Sequence, residues 1–226
     1  MDFFNDLMTN PGITKAMWPA FLETLQMTGI SGFFTVLVGL PLGVLLLNTA
    51  KSGLTPIPWL NLLLSGVITN ITRSIPFAIL MLSLIPFATL LVGVSLGPVA
   101  ASVSLTIGTI PFFARLVESA LRDVSTGKID AALVMGSTKM QVTRKVLVPE
   151  ALPGIIAATT TTVVTLIGYS AMAGLVGGGG LGRLAYNYGF QRYDGTVMIV
   201  TIVIMVLLVQ LVQILGDRLA RLVDHR

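Results

Sequence analysis

No Asp, Glu, Lys or Arg occurs between Arg73 and Arg115. One helix over that interval would reach ~60 Å at about 1.5 Å per residue, twice the ~30 Å hydrocarbon core of a bilayer. The interval therefore holds more than one apolar element, with Pro86 and the segment Gly93–Pro98 marking the break. Further charge-free intervals run over 24–50, 151–182 and 195–216. The pattern predicts an all-α integral membrane protein with about five transmembrane helices, near 24–50, 59–85, 96–117, 152–173 and 195–216. These make one transmembrane domain over 21–220. Residues 1–20 form an N-terminal extension, 121–150 a loop and 221–226 a tail.

Composition agrees. The chain is 54% hydrophobic and 11% charged, with mean hydropathy +0.90. A soluble domain carries about 25% charged residues. It has no cysteine, which excludes disulfides, thiolate metal sites and a cysteine nucleophile. The formal charge of +4 marks a membrane face rather than nucleic acid, because of where the cations fall. Arg115, Arg122, Lys128, Lys139, Arg144, Lys145, Lys51, Arg218, Arg221 and Arg226 belong to one side, and Lys15, Arg183 and Arg192 to the other. The positive-inside rule then puts the N-terminus outside and the C-terminus in the cytoplasm. Arg73 falls within the second predicted span. It faces protein or water at depth, or it sits at the cytoplasmic interface of a span that starts later.

The first residues lack the basic start of a cleavable signal peptide. Phe3, Phe4, Leu7 and Met8 share one face of a short helix that Pro11-Gly12 is expected to break, with Trp18 at the interface.

The cytoplasmic segment from Ser125 to Pro153 predicts two short helices. Thr126 can cap the first, and Gly136 suits the left-handed position after its end. Thr138 with Gln141 three residues later forms a capping box, and Pro149 is expected to stop the second helix. Such a segment is either a knob for a soluble partner's groove or a helix lying flat on lipid.

Asp130, Ala131, Ala132, Gly136, Val146, Val148 and Pro149 fall at the spacings of the loop E-A-A-x(3)-G-x(9)-I-x-L-P. That loop belongs to permeases of bacterial ABC importers, which the segment resembles. Asp130, Val146 and Val148 are conservative replacements. The likeness extends to the methionine importer permeases through Glu23-Thr24-Leu25, Arg73-Ser74-Ile75-Pro76-Phe77, Arg144-Lys145-Val146-Leu147, Pro149-Glu150-Ala151-Leu152-Pro153-Gly154, Gly168-Tyr169-Ser170-Ala171-Met172, Gly179-Gly180-Leu181-Gly182 and Tyr186-Asn187-Tyr188-Gly189. It covers about residues 20–220.

The resemblance implies an ABC type I importer permease of the bacterial inner membrane, translocating methionine, the L-form alone or the L- and D-forms, by alternating access, or another amino acid or small solute with the same architecture. It implies a second copy of the chain, a cytoplasmic ABC ATPase dimer that binds ATP and magnesium, and an extracytoplasmic methionine-binding (lipo)protein. The ATPase-coupling residues would be Asp130, Ala131, Ala132, Gly136, Thr138, Gln141, Val146 and Pro149. Candidate pathway residues are Arg73, Ser74, Pro76, Tyr169, Ser170 and Met172, of which Tyr169 and Met172 could equally pack.

Other patterns carry less. Gly177, Gly179 and Gly182 satisfy G-x-G-x-x-G, but a membrane span precedes them rather than a strand, so a Gly-rich outer turn is expected. The chain has no G-x-x-x-x-G-K-[ST] and one histidine, His225, so no ATP site, metal site or enzyme chemistry is expected in it. The pairs Gly39/Gly43, Ser170/Gly174 and Gly174/Gly178 allow close helix approach, within the chain or between copies.

Overall fold

The computed structural model describes residues 8–71 and 74–224. Phe3, Phe4, Leu7, Arg73, His225 and Arg226 lie outside the described residues. The described residues are helical throughout, with short connections. Four helices are long and apolar enough to cross a membrane: α1 (Gly12–Thr49), α4 (Pro98–Arg122), α7 (Leu152–Leu175) and α9 (Gly195–Val223). A shorter apolar helix, α3 (Phe77–Val92), accompanies them. The intervening pieces are α2 (58–71, with wide i→i+5 turns from Leu62), α5 (Thr126–Val134), α6 (139–150) and α8 (180–190).

One expected break is present and another is not. Helical geometry lapses at Asn10, and α1 starts anew at Pro11-Gly12. Asn10 caps it, its Oδ1 accepting from the Gly12 N–H at 2.8 Å. Pro11 is thereby the first helical residue, where its missing N–H costs nothing. Pro86 sits inside α3, where a membrane helix tolerates one missing donor. The helix expected over 59–85 is interrupted instead at Pro76, whose φ of −54° and ψ of 129° place it outside the helix as the N-cap of α3. Gly93, at φ 76°, closes α3 in the left-handed conformation.

Two compact units make up the chain, and α1, α4, α7 and α9 each contribute to both. One unit comprises the segments up to Phe33, Pro76–Gly108 and Val163–Val212. Its cores are Met27, Met81, Ala101, Leu105, Leu166 and Ala173, and Met17, Ala20, Leu181, Leu184 and Val197. Polar ties are made where lipid could not satisfy them. Ser31 Oγ donates to the Ser102 carbonyl at 3.1 Å. Asn10 Nδ2 donates to Asp194 Oδ2 at 2.7 Å, and Asp194 Oδ1 accepts from the Val197 N–H at 3.0 Å to cap α9. The Gly-rich turn is a cap site too. Glu23 Oε2 accepts from the Gly180 N–H at 2.6 Å and Thr24 Oγ1 from Leu181 N–H at 2.8 Å. Gly179, at φ 89° and ψ −160°, holds a backbone shape open essentially only to glycine.

The other unit comprises Phe34–Ile75, Thr109–Thr162 and the chain from Gln213 on. Its core joins Phe113, Val117, Leu121 and Val124 to Leu147, Ala151, Ile155 and Ala158. Small residues bring the helices close, as lipid-embedded packing requires. A Cβ on Gly43 would fall 2.7 Å from the Ala114 carbonyl oxygen, and one on Gly39 2.7 Å from Phe113 Cδ1. The Gly39/Gly43 pair therefore packs within the chain. Thr35 and Thr109 hydroxyls bond at 2.8 Å, and Asn61 Nδ2 donates to the Leu46 carbonyl at 2.9 Å.

Candidate functional site

The loop over 121–150 folds from local rules. α5 begins after Ser125, which takes the N-cap position without a side-chain hydrogen bond. Thr126 is thus the first helical residue rather than the cap. α5 ends at Gly136, φ 84°. There the Ser137 N–H donates to the Ala132 carbonyl at 3.1 Å and the Gly136 N–H to Leu133 at 3.0 Å. That pair of bonds is a Schellman motif, which satisfies the last carbonyls of α5 and turns the chain sharply. One residue on, the Gln141 N–H donates to Thr138 Oγ1 at 3.3 Å and the Thr138 N–H to Gln141 Oε1 at 2.8 Å. This reciprocal cap starts α6. Pro149 does not stop α6: helical geometry continues over Val148–Glu150 and turns at Ala151. The wide turns of Thr143–Leu147 immediately precede it, and their shifted hydrogen-bond register makes room for a ring and a missing N–H.

Two helices joined by such a corner present a defined surface. Asp130, Ala131, Gly136, Thr138, Gln141 and Pro149 are exposed, Val146 is half-buried and Ala132 is buried at 4%. Ala132 therefore holds α5 in place rather than facing outward. The apolar tip is formed by Val134, Met135 and Met140, 88%, 79% and 62% exposed. Sequence reasoning passed over these three, because in so apolar a chain another valine or methionine carries no signal. The corner motif was the available one, since the residues flanking it must point outward. Lys128 pairs with Glu150 and ties α5 to the end of α6. Beside α5 an open cavity of about 280 Å³ is lined by Asn48, Leu54, Leu121, Arg122, Asp130 and Leu133, among others.

The pathway residues are placed separately. Ser74 and Pro76 are exposed. Tyr169 is half-buried and stacks on Phe77, ring centroids 4.0 Å apart and planes 6° from parallel. Met172 is exposed, whereas Ser170 is buried and donates to the Ile167 carbonyl at 2.7 Å. Phe77 was not among the expected residues. Among the described residues no group of three or more His, Asp or Glu could hold a metal ion.

Charge-poor helices of membrane-spanning length, with an ordered exposed corner between α5 and α6, are those of a polytopic membrane protein. Comparison with known proteins gives the family. Residues 39–226 match binding-protein-dependent transport system inner membrane components, and the chain belongs to that family. It is a multi-pass subunit of the inner membrane and not itself an enzyme. It is 54% identical over 204 residues to the probable D-methionine transport system permease protein MetI of Vibrio cholerae, covering 90% of both chains. It is 46% identical over 222 residues to the corresponding protein of Pasteurella multocida, covering 96% of this chain and 99% of the relative. A solved structure of the MetNI methionine ABC transporter in an inward-facing conformation superposes with a TM-score of 0.90 at 49% identity, covering 92% of this chain and 96% of that one. An amino acid ABC transporter at 21% identity shares the fold, with a TM-score of 0.78 over 98% of both chains.

Proposed function

We propose that this chain is the membrane-spanning permease subunit of an ATP-driven methionine importer. The relatives that are methionine permeases cover nearly its whole length. The observation that carries the mechanism is the corner Asp130–Gln141, an exposed knob shaped by a Schellman turn and a reciprocal cap. A chain with no nucleotide-binding loop needs an external motor, and a preformed helical knob with Val134, Met135 and Met140 at its tip suits a partner's groove. The partner is a cytoplasmic ABC ATPase dimer, which binds ATP and magnesium. One knob per chain and two ATPase subunits call for a homodimer with the pathway on its two-fold axis.

In this reading the membrane is crossed five times. α1, α4, α7 and α9 each cross once, and the interrupted stretch 58–92 supplies the remaining crossing, discontinuous as transporter helices often are beside a pathway. Five crossings leave the N-terminus outside and the loop and tail inside. ATP binding closes the ATPase dimer and moves the two knobs. The helices swing from inward-open to outward-open, and an extracytoplasmic methionine-binding protein delivers its cargo to residues such as Tyr169, Met172, Ser74 and Pro76.

Co-expression of the tagged chain and identification of what it retains tests the assembly. Uptake of labelled L- and D-methionine against other amino acids tests the substrate. Recovery of an ABC ATPase and ATP-dependent methionine uptake are expected. A chain that conducts a solute in liposomes without partner or ATP would contradict the reading.

A further inference from the structure

Glu118 of α4 is an acid that the transport reading leaves unused. Its side chain is 5% exposed, with Oε2 2.7 Å from Arg115 Nη1 and Oε1 2.6 Å from Arg122 Nη2. The spacings of three and four residues put all three groups on one helix face. Only the carboxylate is buried: the Arg115 and Arg122 side chains are 24% and 54% exposed, and ion pairs with exposed partners add little stability. An ionisable group held within or beside a membrane segment marks function instead.

The triad reaches out on both sides. Toward the loop, Arg122 lines the same cavity as Asp130. Away from the loop, Arg115 Nη2 donates to Ser65 Oγ at 2.5 Å and to Asn70 Oδ1 at 3.0 Å. The Asn70 carbonyl in turn accepts from Ser74 Oγ at 2.9 Å. The Glu118 bonds are short, charge-assisted and made to a carboxylate that is 5% exposed, so they form the fixed part. The bonds to Ser65 and Asn70 each have a neutral acceptor, and the one to Asn70 is exposed, so they are the part that can exchange.

We infer that Glu118 and Arg115 are positioning residues for transport, passing displacement of the α5–α6 knob to the segment 62–71. The inference rests on the importer reading. It differs from a stability role in what it predicts: loss of the Ser65 and Asn70 bonds uncouples uptake from ATP hydrolysis without lowering hydrolysis.

The test uses the full permease–ATPase complex in proteoliposomes, with its methionine-binding protein and labelled methionine, measuring uptake and ATP hydrolysis together. Glu118→Gln can fail to assemble, so the decisive variants are Ser65→Ala with Asn70→Ala. Their maximal uptake is expected to fall about tenfold with hydrolysis and the KM for loaded binding protein unchanged. Adding Arg115→Gln should change the ratio of ATP to methionine by less than about twofold more, because the residues share one connection. Unchanged uptake, a parallel fall in uptake and hydrolysis, or fully additive effects would overturn the inference. Absence of ATP-driven methionine uptake by the wild-type complex would overturn the importer reading, and this inference with it.

Discussion

Gly136 and Thr138 sit one residue apart on either side of the loop corner, and each has a separable cost. Gly136 has open space where a Cβ would go, so substitution there meets only the left-handed backbone, about 1–2 kcal/mol for other residues. Gly136→Trp is expected to insert into the membrane normally and to lose most co-purifying ATPase. Retention of ATPase at the wild-type level would remove the corner from the docking surface. Thr138→Ala deletes a cap worth about 1 kcal/mol. Amide hydrogen exchange over 139–142 should speed up by roughly fivefold in that variant, and unchanged exchange would show that the box does not hold α6. These residues were legible because capping rules act over three or four positions. Glu23 was not legible as a cap for Gly180, since no local pattern links residues 157 positions apart. The acid at position 118 stood in plain view between two arginines. Counting those arginines for membrane orientation alone hid the triad.

At the scale of helices, glycine contacts separate structural from neutral positions. Gly43 meets the Ala114 carbonyl and Val117, whereas Gly29 of the same helix has nothing within 4 Å of a would-be Cβ. Gly43→Val should lower the thermal midpoint in detergent, at a cost of about 1–3 kcal/mol. Gly29→Ala should be neutral or stabilising, by up to about 1 kcal/mol. Equal midpoints for the two variants would argue against close packing of α1 on α4. Proline explains most of what periodicity mislaid. Pro11, Pro76, Pro86 and Pro149 share one ring geometry, yet their outcomes depend on whether a neighbouring carbonyl already lacks a donor. At Pro11 the cap from Asn10 made the missing N–H harmless, while at Pro149 wide turns accommodated it. Neither circumstance is visible in a run of apolar letters. The tip residues Val134, Met135 and Met140 were missed for a related reason, because hydropathy cannot distinguish a face meant for lipid from one meant for a protein groove.

For the whole molecule, the reading predicts which loops face which compartment. The natural absence of cysteine makes single replacements clean reporters. Ser125→Cys should resist a membrane-impermeant maleimide in intact cells and react in inverted vesicles, and Arg192→Cys should do the opposite. Labelling of Ser125→Cys from outside would invert the topology and place the knob beyond reach of any ATP-driven partner. The central claim is that a nucleotide-driven subunit grips the knob, and it is tested most directly by a photo-activatable residue in place of Met135 in cells expressing the whole transporter. The account predicts a covalent adduct with the ABC ATPase whose yield depends on nucleotide. Adducts with lipid alone, from a complex shown to be intact, would contradict it.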